Sequence, residues 1–311
     1  MPLRTDPMRF AVTIAPPKSF SHREAFREVA ETVHWALDRL GYGSVLVNDL
    51  TIPNRRHIVF GSNTLSWWGQ EVPEDAILYN FEQMAPGSRW VTDELLDLFR
   101  RHVVWDYSRY NVEALASMGM TNVHHVPIGS VPELEKIPPA DTQDIDVLFV
   151  GGPNPRRHAP IAQLQEAGVN AQSHYDVYGR ARDDLYARAK IVLNIHHGPR
   201  IFEIVRVSYL LANGIFVISE DCVDTDATAE FSDAVVFTEY DSLVETCLHY
   251  LADPAARAAR ADAGRALMRA RPATKYIDAA VKALESADER NRISRDRELA
   301  TGFGAGSADH G

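Results

Sequence analysis

Cysteine is scarce: Cys222 and Cys247 are the two in 311 residues. No CxxC pair and no Cys/His spacing suited to zinc occurs, so neither a disulfide framework nor a structural metal site is expected. That usage fits a reducing cytoplasm. Long apolar runs are also missing, and no stretch approaches the roughly 18 residues that suggest a membrane span. The opening segment, MPLRTDPMRFAVTIAPPKSF, lacks the apolar core and cleavage signature of a secretory leader. Basic charge is in deficit, with 32 Lys and Arg against 43 Asp and Glu and a formal net charge of −11. A nucleic-acid backbone gripped over a broad face is therefore not expected. A local basic pocket for one diphosphate is still compatible with that balance. No GxGxxG follows the first apolar strand, which disfavours an NAD-dependent enzyme. No repeat recurs at a fixed period. The DxD run at Asp224–Asp226 follows its strand at a distance.

What is present is alternation. Short apolar runs (RFAVTIA, SVLVNDL, HIVFGS, AILYNF, HVVWDY, NVHHVPI) are separated by helical patterns in the first half. Residues 22–40 carry Phe26, Val29, Val33, Ala36, Leu37 and Leu40 at helical spacing. RWVTDELLDLF and SRYNVEALASMG read as further helices, the second with Ser108 as N-cap and Gly119 as C′ residue. Pro and acidic residues cluster at 127–144 and mark a linker. IDVLFVGG then restarts the pattern as a buried, parallel-type strand. A helix at about 158–168, a short strand near Asp176–Tyr178, helix DDLYARA, strand IVLNI, a helix from about 202 and strands IFVIS and DAVVF follow. Three helices (about 240–251, 254–270 and 274–286) close the pattern. The fold expected is α/β, with two Rossmann-like domains facing a cleft and C-terminal helices. The domains expected are 1–130, a linker 131–144, 145–287, and a polar, Gly-rich disordered tail 288–311.

Ligands of open α/β sheets bind outside the carboxyl ends of strands. Two such ends stand out. FVGGPNPRRHAP places Gly151 and Gly152 before a helix carrying Arg156 and Arg157, where free N–H groups and guanidiniums suit a phosphate. A tight turn with solvated arginines explains it equally. NIHHGPRIFEIVRV places His196, His197, Arg200 and Glu203 between a strand and a helix. Glu203 suits either the helix dipole or the two hydroxyls of a ribose, and Arg206, three residues on, is placed to pair with it.

The order strand-GG, YGRARDDLYARAKIVLNI, an Arg/Glu-started helix ending LLANG, then IFVIS resembles the donor domain of GT-B glycosyltransferases, especially bacterial family-1-type and CgeB-like members. The resemblance covers about 145–285, and LADPAARAARADAGRALMRA is similar to the closing helix pair of such domains. It implies that Glu203 holds the donor ribose, that Gly151, Gly152 and Arg156 or Arg157 meet the diphosphate, and that Arg200 and His196 lie near the phosphates or sugar. Many retaining members carry a second glutamate eight residues after the first; that position here is Leu211, so the motif assigns neither retention nor inversion. The N-terminal half resembles the acceptor half more loosely, best over WDYSRYNVEALASMGMTNVHHVPIG. Its strand ends offer Glu82 and Asp106 as general bases, with His22 behind them. Each also has a plain explanation: Asp106 as a helix cap, Glu82 as a solvated loop residue. Trp67, Trp68 and Trp90 suit either sugar stacking or packing of a domain edge.

The activity implied is transfer of a sugar from a nucleoside-diphosphate sugar, UDP- or GDP-linked, to a hydroxyl acceptor in cytoplasmic polysaccharide or glycoconjugate synthesis. No cofactor or metal is implied; peripheral membrane association and a homodimer are compatible with it. Alternatives are a nucleotide-sugar epimerase and a non-catalytic nucleotide-binding module of a surface-polysaccharide or spore-coat assembly.

Overall fold

A computed structural model describes residues 8–302. Two parallel sheets organise them. The first runs β2(Val45–Val47), β1(Phe10–Ile14), β3(Arg56–Phe60), β4(Ile77–Asn80), β5(Val103–Asp106), β6(Val123–His125). The second runs β11(Val235–Thr238), β10(Val217–Glu220), β9(Ala189–Asn194), β7(Ile145–Val150), β8(Ala171–His174). Every pairing is parallel. Strands such as FAVTI are buried along their whole length, as a sheet covered on both faces requires.

Chain order fixes where a crevice opens. In the second sheet β7 is flanked by β8 on one side and β9 on the other, so the connections leaving β7 and β9 diverge to opposite faces. The first sheet reverses in the same way between β1 and β3. At that point Gly61 has φ +80°, and a Cβ there would meet Pro16 Cδ at 2.7 Å. Only glycine satisfies both demands.

Ten helices are named here among the described residues: α1(Arg27–Arg39), α2(Asp93–Arg101), α3(Arg109–Ser117), α4(Pro155–Glu166), α5(Gly179–Arg188), α6(Ile204–Ala212), α7(Thr225–Phe231), α8(Leu243–Ala252), α9(Pro254–Arg269) and α10(Ala273–Gly302). Ser108 caps α3, accepting from Asn111 N at 3.4 Å, and Gly119 follows with φ +84°. Among the described residues no helix is long and apolar enough to cross a membrane.

Three expectations are corrected. Residues 21–26 form a 3-10 turn, and α1 begins only at Arg27. The strand expected near Asp176–Tyr178 lies at Ala171–His174; Asp176 instead turns the chain with φ +58°. Residues 288–302 continue α10 as helix rather than a disordered tail. Their Glu- and Arg-rich composition is strongly helix-forming and supplies i,i+3 pairs such as Glu289–Arg292. Residues 303–311 of that expected tail lie outside the described residues.

Two crossings join the halves. One follows β6; the other lies between α9 and α10 and returns the chain to pack α10 on α1. Ser130 N donates to Arg271 O at 2.9 Å and Ala273 N to Ser130 O at 2.9 Å. A Cβ on Gly129 would lie 2.6 Å from Ala273 Cα, so the close approach needs a glycine.

Candidate active site

Asn154 caps α4 by accepting from Arg157 N at 2.7 Å, which sets Arg156 and Arg157 in the helix's first turn. Successive helical residues point about 100° apart, so the two arginines part company. Arg157 turns inward and is 4% exposed. Its Nε donates to Ile195 O (2.9 Å), Nη1 to Gly152 O (3.1 Å) and Nη2 to Glu203 Oε1 (3.4 Å). Arg206, on the first turn of α6, donates Nη2 to Glu203 Oε2 (3.0 Å) and Nη1 to Val150 O (3.3 Å). Glu203 is thus held between two guanidiniums that also hold the ends of β7 and β9. A Cβ on Gly151 would lie 3.4 Å from Arg206 Nη1 and 3.5 Å from Arg157 Nη1, so the Gly-Gly turn faces both. Burial pushes the Arg157 pKa down to about 10, against the pull of Glu203, and the group remains a cation at neutral pH.

Arg156 goes elsewhere. It forms a two-pronged pair with the buried Glu220 at the end of β10, with Nη1 2.7 Å from Oε2. Its guanidinium also lies 4.0 Å from the centre of the Tyr240 ring. His196 is fully buried; its N–H donates to Glu220 Oε2 at 3.2 Å and burial lowers its ring pKa. His196 Nδ1 and Asn194 Oδ1, both at this strand end, are buried without a hydrogen-bond partner among the described residues. His197 and Arg200 are exposed. The structure therefore brings Gly151, Gly152, Arg157 and Glu203 together, with His196 beside them. Arg156 is occupied in an ion pair, and Arg200 lies at the surface. Leu211 is wholly buried against Gly264 on α9 and lies on the core side of α6.

Across the cleft, Glu82 follows β4 on a short loop. Asn63 Nδ2 donates to its Oε1 at 2.9 Å. Burial raises its pKa to about 7, opposed by Arg89. Asp106 ends β5 with no exposed surface. Its carboxylate accepts from Asn80 Nδ2 (2.6 Å), Ser108 N (2.8 Å) and Asn111 Nδ2 (3.0 and 3.1 Å). Asn80 and Asn111 also donate to Glu82 O, so Asp106 is the anchor of the Glu82 loop rather than a group open to an acceptor. His22 sits at the rim, with Nδ1 2.8 Å from the Tyr178 hydroxyl of the other half.

Tyr107 marks where the halves meet. Burial raises its hydroxyl pKa, and the charges of Asp106, Glu203, Asp224 and Glu82 add to the rise. Glu82 of one half and Glu203 of the other thus both act on one hydroxyl. Arg89 is exposed and within electrostatic range of His22, Glu82 and His197. Sequence reasoning missed Arg89 because an irregular loop carries no periodic signal. It also missed Glu220, whose significance lies in a partner 64 residues away. Among the described residues no group of three or more His, Cys, Asp or Glu stands ready to hold a metal.

A conserved-family model described as glycosyl transferase-like matches residues 134–293, just over half of the chain. The chain belongs to the glycosyl transferase-like family. It is accordingly a transferase, on the GT-B architecture expected from its motifs. Uncharacterized protein L140 of Acanthamoeba polyphaga mimivirus is 24% identical over 237 residues, covering 73% of this chain and 76% of that protein. Among solved structures, Anabaena HepE in complex with UDP and glucose superposes with a TM-score of 0.63 at 11% identity, over 90% of this chain and 99% of that one. WaaG, a glycosyltransferase involved in lipopolysaccharide biosynthesis, gives 0.54 at 10% identity over 88% and 98%. At these identities the likeness is one of fold.

Proposed function

We propose that this glycosyltransferase takes its sugar from a nucleoside-diphosphate donor, a UDP-sugar first, and passes it to a hydroxyl of a glycan or glycoconjugate. The observation that carries the reading is Glu203 clamped between Arg157 and Arg206 at the divergence of β7 and β9. A guanidinium has five N–H donors. Arg157 spends three on the protein and Arg206 two, which leaves donors on both for diphosphate oxygens. The positive dipole ends of α4 and α6 add to the field of these arginines. Glu203, oriented by the arginines, keeps lone pairs for ribose hydroxyls. The UDP held by HepE supports a uridine donor.

In this reading the leaving diphosphate is stabilised by fixed positive charge without an obligatory metal. Glu82 takes the acceptor proton; a pKa near 7 suits a base working at neutral pH. The protein would act in the cytoplasm, free or at a membrane surface. Calorimetry with UDP, UDP-glucose, GDP and ADP tests the donor. Tight binding of a uridine nucleotide, unchanged by EDTA, is expected. Absence of binding by every diphosphate would remove the reading.

A further inference from the structure

We infer that a groove on the flank of the N-terminal half, between the 3-10 turn Ser62–Trp68 and α2, is the subsite for an extended saccharide chain that serves as acceptor. The inference rests on the transferase reading above and names the acceptor class that the family match leaves open.

The groove encloses about 530 Å³, within the roughly 300–1,000 Å³ of ligand clefts. Two tryptophans from its walls face one another: the Trp67 and Trp90 rings lie 6.2 Å apart at 31°. Trp67 is 58% exposed and its neighbour Trp68 41%, so apolar surface is gathered at this rim. The Arg89 guanidinium lies 4.6 Å from the centre of the Trp90 ring, and the exposed face of Trp67 suits the C–H face of a pyranose ring.

The polar lining narrows the choice. Gln70 Oε1 and His102 Nε2 both belong to groove residues, and both are buried with no hydrogen-bond partner among the described residues. His102 Nδ1 lies 3.0 Å from Leu98 O, a carbonyl that can only accept. Nδ1 therefore carries a proton, and in that tautomer Nε2 is an acceptor. Gln70 Oε1 is an acceptor as well. Two such acceptors beside the exposed Trp67 face call for a ligand with apolar faces and many O–H donors. A lipid tail would leave both acceptors unpaired, at a cost. A saccharide satisfies both.

Position supplies the link to transfer. Asn63 lines the upper end of the groove and donates to Glu82 Oε1 at 2.9 Å. From there the lining continues down the flank to His102, beyond the last turn of α2. A chain lying in it presents one end at Glu82 while the remainder runs away from the cleft.

The test is tryptophan-fluorescence titration of the full chain with cellohexaose, maltohexaose, mannohexaose and chitohexaose and their monosaccharides, on wild type, Trp67→Ala and Gln70→Ala. UDP calorimetry runs in parallel as a control for folding and for the donor site. Saturable binding of at least one hexaose, tighter than its monosaccharide, is expected. Each substitution is expected to weaken it at least about tenfold while UDP affinity holds within about twofold. Trp67→Phe keeps a ring and is expected to retain most of the affinity, which guards against a misfolded alanine variant. If no hexaose binds saturably, or if Trp67→Ala and Gln70→Ala bind it like wild type, the groove is not a saccharide subsite. A wild type that binds a hexaose but no nucleotide would remove the donor reading and leave the groove standing.

Discussion

Arg182 on α5 grips Glu28 on α1 across the cleft, with Nη2 2.7 Å from Oε1 and Nη1 3.2 Å from Oε2. Their side chains are only 10% and 11% exposed. Removing one member strands a buried charge, so Arg182→Met alone is expected to cost about 3–5 kcal/mol. The double variant Arg182→Met/Glu28→Leu is expected to recover only part of that, because Asp183 Oδ1, 3.0 Å from Arg182 Nη2, loses the same partner. Urea unfolding of the four proteins in a double-mutant cycle decides it; simple additivity would mean the pair is not coupled.

The two adjacent arginines of α4 are expected to fail differently. Arg157→Ala removes a donor group from the proposed diphosphate site and is expected to weaken UDP binding by roughly 1.5–3 kcal/mol. Arg156→Ala leaves Glu220 buried and unpaired, so its loss is expected in thermal stability, with UDP affinity near normal in the folded fraction. Calorimetry and melting curves on both variants check this. Equal effects on binding would place Arg156 in the site as well.

Glu82 is expected to impose an acidic limb on the rate profile. With its pKa raised to about 7 by burial, kcat/KM is expected to climb as pH rises through 7 and then level off. Glu82→Gln is expected to lose at least about a hundredfold in kcat with donor affinity kept. A variant that keeps both rate and limb would exclude Glu82 as the base.

Asp106 carries the corresponding statement about stability. Burial raises its pKa to about 7, against the pull of Asn80, Ser108 and Asn111, while an unfolded Asp titrates near 4. The native state therefore holds a proton that the unfolded state has lost between about pH 4 and 7. Its contribution is full below about pH 4 and falls away as pH rises through 7. Asp106→Asn is expected to flatten that slope in chemical unfolding between pH 4 and 8. An unchanged slope would assign it to other groups.

Much of this was legible from periodicity. The continuous apolar runs of β7 and β9 announced parallel strands, and glycines and a helix start after β7 announced an anion-binding end. Pairing of Arg206 with Glu203 followed from a spacing of three. Side-chain direction was not legible: Arg156 and Arg157 are identical and adjacent, and only the register of α4 sends one to Glu220 and the other to Glu203. Asp106 looked like a base because a strand-end carboxylate near a cleft is one by pattern. Its three donors come from β4, the backbone ahead of α3 and α3 itself, and the sequence does not show that they converge. Residues 288–302 suggest a tail in the sequence because polar composition alone does not distinguish a solvated helix from coil.

The two chain crossings near Ser130 and Pro272 lie side by side and bond to each other. A single tether would let one half tumble against the other. A doubled strap acts like a piano hinge: it permits swing about one line and resists twist and slide. Points near that line scarcely travel, whereas contacts made far from it sweep the longest arc. The same few degrees of swing can therefore leave the strap's own bonds intact while parting the most distant of the contacts that join the two halves.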